Sequence, residues 1–453
     1  MEPVSRREML LYGALAGVSL AACEQPPDDE IPPPVQPDPS PSPEPPGSRN
    51  VRVSRDGFAM HAEPNLAVNP RDPRNLLGAC ITDAGIAAYA SFDGGATWRN
   101  HGVLEDSGGG RDPSVSFDAH GRGYVCANTN DLHVWRTDDG GHGFVPPVLA
   151  TRGHKLDHPW LAADPASGPP EATHLYAAFT GGTDNALLEF IRSTDAGRSF
   201  DAPRTIDSAR TPAEANMASP SLAAGPDGTI YVAYGVWPPI PRLGLRPEFP
   251  TPMRVVCSTD HGKTWNAPIP LGTGVMEVRV AADTNVPGLP AVVAHRHQPF
   301  AAVAYIARRS GAPFSDVAVS VSTDRGARWT AAQPIPRLSD DTIFTQPQLA
   351  IDETGRLALS AFAHRGTQVD VVLLRAGPFN ARFGRPEVIT SRPFDPSRGG
   401  MQGKHGAWWI GDYQGLAYAT GVAHPFWNDS RSGRLEIFSQ SVTGDGPTAS
   451  PGR

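Results

Sequence analysis

The 453-residue sequence predicts an all-β protein, and more narrowly a β-propeller built from four-stranded blades. A short turn motif occurs five times, and a second motif, usually containing a proline, marks one inner strand in each repeat. The chain contains 47 glycines and 48 prolines and few long helical patterns. This composition is typical of many short strands that are joined by turns.

The turn motif has the form Ser/Thr-x-Asp-x-Gly-x-x-Trp/Phe and follows a β-rich run each time. Its copies lie at residues 91–98, 137–144, 193–200, 258–265 and 322–329. The aspartate can accept hydrogen bonds from a tight turn, the glycine supplies a left-handed backbone, and the aromatic ring packs on the sheet. Repeats of roughly 40–50 residues with tolerated insertions are the spacing of propeller blades. A degenerate sixth copy at residues 376–383 keeps the aromatic residue but not the aspartate or the glycine.

The second motif predicts the innermost strand of each blade and usually reads x-Pro-x-Leu/Val-Ala/Ser. Five segments contain the proline, at residues 63–67, 112–116, 158–162, 219–223 and 346–350, and two align without it, at residues 277–281 and 413–417. These segments predict seven blades, with six as the alternative because the fifth repeat is the least regular. We expect residues 50–54 to supply the outer strand of the last blade, which closes the ring and removes an open sheet edge.

The residue that begins each inner-strand motif is predicted to face the central channel. The turn motifs lie at the opposite end of the blades, so we expect them to be structural. The predicted ring consists of Glu63, Asp112, His158, Ser219, Glu277, Gln346 and Tyr413. Each of these residues could equally be a solvated channel residue, but together they place carboxylates and a tyrosine in one cavity on loops held by a rigid scaffold.

The five turn motifs resemble the Asp-boxes of the sialidase superfamily, and the likeness covers nearly the whole chain after its first fifty residues. Sialidases are retaining glycosidases that use a tyrosine nucleophile. The resemblance implies Tyr413 as nucleophile, Glu277 as its base and Asp112 as acid/base. It also implies a clamp for a sugar carboxylate, to which Arg111, Arg365 and Arg431 are the nearest matches.

The ring residues Glu63 and His158 complete the predicted substrate contacts. The function implied is therefore recognition or processing of glycans, in one form as a retaining exo-glycosidase for acidic sugars. The alternative is a non-catalytic propeller that binds glycan or protein partners at the cell surface. Two departures from the family are visible: Gly110 and Asp112 flank Arg111 where sialidases have phenylalanine and isoleucine, and seven blades differ from the sialidase six.

The first 48 residues predict export and lipid anchoring. Paired arginines, Arg6 and Arg7, precede an apolar run at residues 9–20 that is too short to span a bilayer, and small residues precede Cys23. This pattern resembles a twin-arginine lipoprotein signal in which Cys23 is acylated. We expect an export signal at 1–22, the acylated cysteine and a proline-rich linker at 23–48, the propeller at 49–445 and a disordered tail at 446–453. The predicted location is the cell envelope, at the outer membrane or cell surface.

Charge and cysteine content argue against several other classes of protein. The net charge is −8 with acidic and basic residues interspersed, so no nucleic-acid partner is expected. The odd number of cysteines after the signal, Cys80, Cys126 and Cys257, predicts buried thiols and no disulfide framework. His295 and His297 have no carboxylate or cysteine at ligand spacing, so we expect no metal and no cofactor. The propeller is expected to be a monomer.

Overall fold

The computed structural model describes residues 49–153, 156–166, 168–182, 185–209, 216–237, 250–281, 284–308, 316–399, 401–402 and 408–444. The predicted export signal, Cys23, the linker and the C-terminal tail lie outside these residues. The described chain is all-β: it contains three short 3-10 turns and no α-helix. None of the described helical segments has the length and apolar character needed to cross a membrane.

The strands pair antiparallel and in chain order. A short first strand, β1 (Val51–Arg52), precedes the first sheet. Sheet 1 contains β2 (His61–Val68), β3 (Leu76–Thr82), β4 (Gly85–Ser91) and β5 (Arg99–Val103). Sheet 2 contains β6 (Arg111–Phe117), β7 (Gly123–Asn128), β8 (Leu132–Thr137) and β9 (Val145–Thr151). Sheet 3 contains β10 (Asp157–Ala163), β11 (Leu175–Gly181), β12 (Leu187–Ser193) and β13 (Arg204–Ser208).

The middle of the chain forms two further four-stranded units and an inserted hairpin. Sheet 4 contains β14 (Asn216–Ala224), β15 (Ile230–Trp237), β16 (Thr251–Ser258) and β17 (Ile269–Gly274). The hairpin consists of β18 (Glu277–Ala281) and β19 (Thr284–Pro287). Sheet 5 contains β20 (Ala291–Ala294), β21 (Ala301–Ala307), β22 (Asp316–Ser322) and β23 (Gln333–Pro334). One residue pair, Gly274 with Ala307, joins sheets 4 and 5 at their edges.

The last two sheets are formed by the C-terminal part of the chain, and the N-terminal strand β1 pairs with the second of them. Sheet 6 contains β24 (Ile343–Ile351), β25 (Leu357–Arg365), β26 (Gln368–Ala376) and β27 (Glu387–Val388). A two-stranded pair follows, β28 (Met401–Gln402) and β29 (Trp408–Trp409). Sheet 7 contains β30 (Gly415–Ala419), β31 (Val422–Asp429) and β32 (Glu436–Ser439), with β33 (Val442–Thr443) beside β31. Its outer strand is β1, which pairs with β32 as predicted from the sequence.

The first strands of the seven sheets surround a central channel. Each contacts the next in the order β2, β6, β10, β14, β20, β24 and β30, and β30 contacts β2 again. The described strands therefore form a closed ring in which each sheet packs against two neighbours. The number of blades, seven with six as alternative, stays a prediction from the repeat.

One inner strand differs from the sequence prediction. Residues 277–281 form the first strand of the inserted hairpin, and the inner strand of sheet 5 is Ala291–Ala294. A signal for this strand is present, because Leu289 and Pro290 precede it as Glu63 and Pro64 precede the apolar end of β2. The hairpin places a second β-rich segment, residues 277–281, before this inner strand. That segment matches the inner-strand motif only at its Val-Ala end.

The Asp-boxes form the same hydrogen-bonded turn in all five copies, between the third and fourth strands of sheets 1–5. In sheet 1 the amide of Gly95 donates to Ser91 Oγ at 2.8 Å, and the amide of Thr97 donates to Asp93 Oδ1 at 2.9 Å. The other copies repeat both bonds, at 2.8–2.9 Å and 2.9–3.0 Å. Burial opposes ionisation of Asp260, but hydrogen bonds from Thr264 and its neighbours lower the pKa of that carboxyl to about 2.

Each Asp-box turn also packs against the preceding sheet. The Trp265 ring meets Phe190 of sheet 3 with ring centroids 4.9 Å apart, and Trp329 meets Tyr231 of sheet 4 at 6.1 Å. The box of sheet 1 contacts sheet 7 in the same way, through Trp98 and Phe426 at 5.3 Å. The boxes therefore bury apolar area between blades as well as shaping their own turns.

The three described cysteines are free and buried. Cys80, Cys126 and Cys257 all lie within strands, and burial raises the pKa of each thiol. The sequence prediction of inert, buried thiols is confirmed.

The packing of the Asp-boxes on the preceding sheets can be tested by substituting two of their glycines. Gly262 has a φ of +76° and lies where a Cβ would be 2.5 Å from the Phe190 ring, whereas Gly94 has a φ of +75° and no atom within 4 Å of that position. We expect Gly94→Ala to cost about 1–2 kcal/mol for the left-handed backbone alone. Gly262→Ala should cost about 1–3 kcal/mol more, because the new methyl overpacks the contact between sheets. Thermal unfolding measures both; equal melting temperatures for the two variants would contradict docking at Gly262.

Candidate functional site at the channel mouth

An unusual backbone conformation recurs at the residue before each inner-strand proline. These five residues have positive φ angles: Glu63 52°, Asp112 53°, His158 47°, Ser219 43° and Gln346 47°. At the same place the register of each inner strand shifts against its neighbour. A left-handed residue in a bulge changes the direction of its side chain relative to regular alternation. Such a conformation costs about 1–3 kcal/mol at a residue other than glycine. Because it recurs in five sheets, we infer that the packing of the inner strands stabilises it.

Neighbouring sheets bring four of the ring side chains together. His158 lies between two carboxylates: its Nδ1 is 3.6 Å from Asp112 Oδ1, and its Nε2 is 3.5 Å from Asp412 Oδ2. The other oxygen of Asp412 accepts a hydrogen bond from Trp409 Nε1 at 2.7 Å. Gln346 donates from Nε2 to the carbonyl of Gly411 at 2.5 Å, which ties sheet 6 to the segment that carries Asp412. We name Glu63, Asp112, His158, Asp412 and Tyr413 the mouth cluster.

Glu63 and Asp112 form a buried carboxyl pair within this cluster. They are 2% and 3% exposed, and each carboxyl shifts the pKa of the other. Burial and the charges of Asp112 and Asp412 raise the pKa of Glu63 well above its ordinary range. Burial, Asp157 and Asp412 also raise the pKa of Asp112, to about 6, although His158 opposes this shift. Glu63 is therefore the proton donor of the pair and Asp112 the acceptor near neutral pH.

His158 is the cationic member of the cluster. Burial favours its neutral form, but the nearby charges of Asp112 and Asp157 and the hydrogen bond to Asp412 outweigh burial and raise its pKa well above the ordinary value. The imidazolium in turn favours the ionised form of Asp112 and so opposes the effect of burial on that carboxyl.

The Tyr413 phenol lies beside this group but is bonded to the backbone. Its hydroxyl donates to the carbonyl of Pro113 at 3.0 Å, and its ring meets Trp160 edge-on with centroids 5.5 Å apart. Burial and the negative charges of Glu63 and Asp112 raise its pKa well above the ordinary value. The phenol is therefore held neutral in this state.

Glu277 lies in the inserted hairpin rather than on an inner strand, and its side chain is half-buried. Burial and the charge of Asp412 raise its pKa. Among the described contacts, the Tyr413 hydroxyl is bonded to Pro113 and not to Glu277. The charges of Glu63 and Asp112 raise the pKa of Tyr413, so these two acids are candidates for a base beside the phenol.

Two of the three predicted arginines pair with aspartates outside the mouth cluster. Arg431 is buried and donates to Asp429, Asn50 and Ser391, with its guanidinium 4.6 Å above the Phe438 ring. These contacts link the segments beside β1 and sheet 6 to sheet 7, whereas the family resemblance predicts Arg431 on a sugar carboxylate. Arg365 is half exposed at the end of β25 and pairs with Asp370 at 3.2 Å. Arg111 begins β6 beside Asp112 and is half-buried.

A cavity of about 220 Å³ occupies the channel below the ring. It is lined by all seven inner strands, and Asn65, Trp160 and Gln348 line it two residues after Glu63, His158 and Gln346. Asn65 also accepts a hydrogen bond from the amide of Val115 at 3.0 Å, so short polar side chains link one inner strand to the next. The mouth cluster therefore lies at one end of this channel, on the face opposite the Asp-boxes.

Two acids that neighbour the ring positions in sequence belong to this region. Asp412 and Asp157 directly precede the ring residues Tyr413 and His158, so their positions in the chain were the available signal. The ligand atoms of Asp112, Asp157 and His158 lie within 4.8 Å of one another and could hold a cation. The Asn185 amide donates to Asp157 at 3.2 Å.

The carboxyl pair predicts a pH dependence of stability. The folded protein keeps a proton on Asp112 up to about pH 6, whereas the unfolded chain releases it near its ordinary value of 3.8. Stability contributed by this proton falls as pH rises from about 4 to about 6. Asp112→Asn should therefore raise the melting temperature relative to the native chain progressively across that window, since the variant has no carboxyl to ionise. Asp227→Asn, which changes an exposed aspartate paired with Arg325, is the control; parallel curves for the native chain and Asp112→Asn would contradict the assignment.

Comparisons with known proteins support the architecture. No protein-family model matches the chain, and no curated protein has a significantly similar sequence. The solved structures that it resembles include a polysaccharide lyase, the PL25 ulvan lyase bound to a GlcA(1-4)Rha3S oligosaccharide, at 10% identity over 87% of this chain and 98% of that one, with a TM-score of 0.53.

Two further similar structures are glycosidases. The GH93 α-L-arabinofuranosidase of Fusarium graminearum in complex with arabinobiose matches at 14% identity over 87% of this chain and 97% of that one, with a TM-score of 0.45. The Hadza microbial sialidase Hz136 matches at 16% identity over 82% and 73%, with a TM-score of 0.44. At these identities a likeness shows the fold alone, and the ulvan lyase carries that argument. The chain is accordingly a β-propeller.

Proposed function

We propose that the protein is a glycan-directed β-propeller, anchored in the cell envelope, whose mouth cluster engages sugar hydroxyl groups. The observation that carries this proposal is the buried Glu63–Asp112 pair beside His158. A protonated carboxyl donates one hydrogen bond and an ionised carboxylate accepts several, so together they match the donor and acceptor character of a sugar hydroxyl. The fold shared with the ulvan lyase supports a polysaccharide as the class of ligand.

The charge of the cluster favours a neutral or amino sugar over an acidic one. The groups that act most strongly on Glu63 and Asp112 are carboxylates and His158. Arg365 and Arg431, which the family resemblance would place on a sugar carboxylate, are held by aspartates elsewhere. A carboxylate ligand at the mouth cluster would meet like charges, which costs binding free energy.

Hydrolysis by a retaining mechanism is the catalytic form of this proposal. The proximity of Tyr413 to Glu63 and Asp112 favours it, because a neutral phenol needs a neighbouring base to act as nucleophile. Asp112, with a pKa of about 6, is the candidate base, and Glu63, held protonated, is the candidate acid. Sialidases use a tyrosine nucleophile in place of the second carboxylate of the usual glycosidase pair. A tyrosine mechanism is therefore the hydrolytic route that fits these side chains.

A binding propeller without turnover is the second candidate. The observation in its favour is that Tyr413 donates to the Pro113 carbonyl and that burial holds its phenol neutral.

The proposal is tested by measuring binding and turnover in the same chain, using Cys23→Ser so that it cannot be acylated. We expect retention of neutral or amino-sugar glycans on an array. Asp112→Asn should weaken retention about tenfold, the loss expected from one hydrogen bond to an ionised carboxylate of about 1.5 kcal/mol. Asp227→Asn, far from the mouth, should bind as the parent does.

Turnover is read with fluorogenic glycosides that include a sialoside, with Tyr413→Phe as the catalytic control. Hydrolysis that Tyr413→Phe abolishes supports the enzyme, and retention without hydrolysis supports the binding propeller. Equal glycan retention by the parent and Asp112→Asn, or none by either, would refute a glycan site at the mouth cluster.

Anchoring is a separate part of the proposal and rests on Cys23 after its short apolar run. We expect the native chain to label with radioactive fatty acid and to fractionate with membranes of the cell envelope. Cys23→Ser should lose the label and leave the membrane fraction, because the acyl chains supply the proposed affinity for the membrane. Cys80→Ser, which changes a buried thiol, is the matched control and should keep the label.

A further inference from the structure

A second cluster of polar side chains lies on the Asp-box face, far from the mouth cluster along the strands. Asp164 follows β10 and His174 precedes β11, so both belong to the turn between the first two strands of sheet 3. Tyr176 is on β11, and His261 is the variable residue after Asp260 in the Asp-box of sheet 4. The cluster therefore joins two adjacent sheets and draws on residues 97 positions apart.

Four potential ligand atoms of this cluster lie close together. Asp164 Oδ2 and His174 Nδ1 each lie 3.2 Å from His261 Nδ1. The hydroxyl of Tyr176 is 2.6 Å from Asp164 Oδ2, 2.9 Å from His261 Nδ1 and 3.3 Å from His174 Nδ1. All the carboxylate and imidazole donors lie within 4.8 Å of one another.

Hydrogen bonds alone cannot satisfy all the polar contacts in this cluster. An imidazole nitrogen carries either one proton or one lone pair, directed in the plane of the ring. His261 Nδ1 nevertheless has three polar neighbours, at 2.9, 3.2 and 3.2 Å, and can satisfy one of them. A cation at the centre would satisfy all four donors at once.

We propose that Asp164, His174, His261 and the Tyr176 hydroxyl form a site for a divalent transition-metal ion of the Zn²⁺ type. Zn²⁺ takes nitrogen and oxygen ligands at about 2.0–2.1 Å in tetrahedral geometry, which sets ligand atoms about 3.3 Å apart. The five measured separations, 2.6–3.3 Å, are close to that edge length and need small outward adjustments. Two imidazoles with oxygen ligands favour Zn²⁺ or Cu²⁺ over Ca²⁺ or Mg²⁺, which prefer oxygen alone.

The surroundings hold the ligands and leave a path to them. Asp164 and Tyr176 are buried, whereas the His261 side chain is 35% exposed. The His261 ring packs on Gly228, where a Cβ would lie 2.6 Å from the ring, and the His261 amide donates to the Gly228 carbonyl at 3.0 Å. Arg192 is engaged by Asp201 at 2.7 Å and by the His261 carbonyl at 3.0 Å, so its charge is partly compensated.

The bound ion would fasten sheet 3 to the Asp-box of sheet 4. In the other boxes the same position is occupied by Gly94, Gly140, Ala196 or Arg325, none of which is a metal ligand in this pattern. The site is therefore specific to one junction between sheets, and its role is to stabilise that junction rather than to act on a ligand at the mouth.

The proposal is tested on the full chain after chelation and dialysis. Titration with Zn²⁺ should saturate at about one ion per chain and raise the melting temperature, since the ion binds the folded state preferentially. Titration with Co²⁺ should produce the intense visible absorption bands of a tetrahedral nitrogen–oxygen site. His174→Asn and His261→Asn, made separately, should lose the bands and the metal-dependent rise in melting temperature.

The matched control is His142→Asn, because His142 is an exposed histidine in the Asp-box of sheet 2. This variant should bind Zn²⁺ as the native chain does. Failure of the native chain to take up either ion, or octahedral Co²⁺ spectra, would overturn the proposal. So would Zn²⁺ binding by the His174→Asn and His261→Asn variants that equals binding by the native chain. The native-chain spectrum decides the matter even if one variant does not fold.

Discussion

The left-handed residue before each inner-strand proline is the constraint on which the rest of the molecule depends. Regular alternation along an inner strand would send successive side chains to opposite faces of its sheet. The bulge interrupts this alternation at one level of each of five sheets, at Glu63, Asp112, His158, Ser219 and Gln346. Three of these side chains, with the segment that carries Asp412 and Tyr413, then meet at the mouth of one channel. The same geometry leaves Asn65, Ser114 and Ser221 to accept hydrogen bonds from the next inner strand.

The opposite face is organised by a different requirement, the packing of neighbouring sheets. Glycine at the fifth position of each Asp-box has a left-handed backbone and lies against the preceding sheet, as Gly262 does against Phe190 and Gly326 against Tyr231. The aromatic residue three positions later covers the same junction. The motif thus combines a turn with an inter-sheet contact, which explains its recurrence on the face away from the mouth cluster. At one junction, His261 adds an imidazole to this contact and brings it to Asp164 and His174.

Burial controls the chemistry of the mouth cluster. Four acids act on His158 or Tyr413 there: Glu63, Asp112, Asp157 and Asp412. Because water is excluded, their charges act strongly on one another, and one member of the closest pair keeps its proton. This coupling separates the acid role of Glu63 from the base role of Asp112, although both begin as ordinary carboxyls.

The sequence by itself determined the β-propeller, because the turn motif and the inner-strand motif are local and repeat with the chemistry of turns and strands. It also determined the buried thiols and the closing strand at Val51–Arg52, since apolar runs and sheet edges follow rules that act over a few residues. The ring positions Glu63, Asp112 and His158 could be predicted for the same reason. Glu277 could not be placed correctly, because an inserted hairpin repeats the Val-Ala pattern of an inner strand.

Only the tertiary structure decided which charged groups meet. Arg431 is committed to Asp429 and Asn50, a contact made across 381 residues, and no local pattern distinguishes such an arginine from a ligand-binding one. The Glu63–Asp112 pair, the position of His158 between Asp112 and Asp412, and the Asp164–His174–His261 cluster likewise join separate sheets. Their chemistry depends on distances and burial that arise when the ring closes, and those quantities are properties of the packed sheets rather than of any one segment.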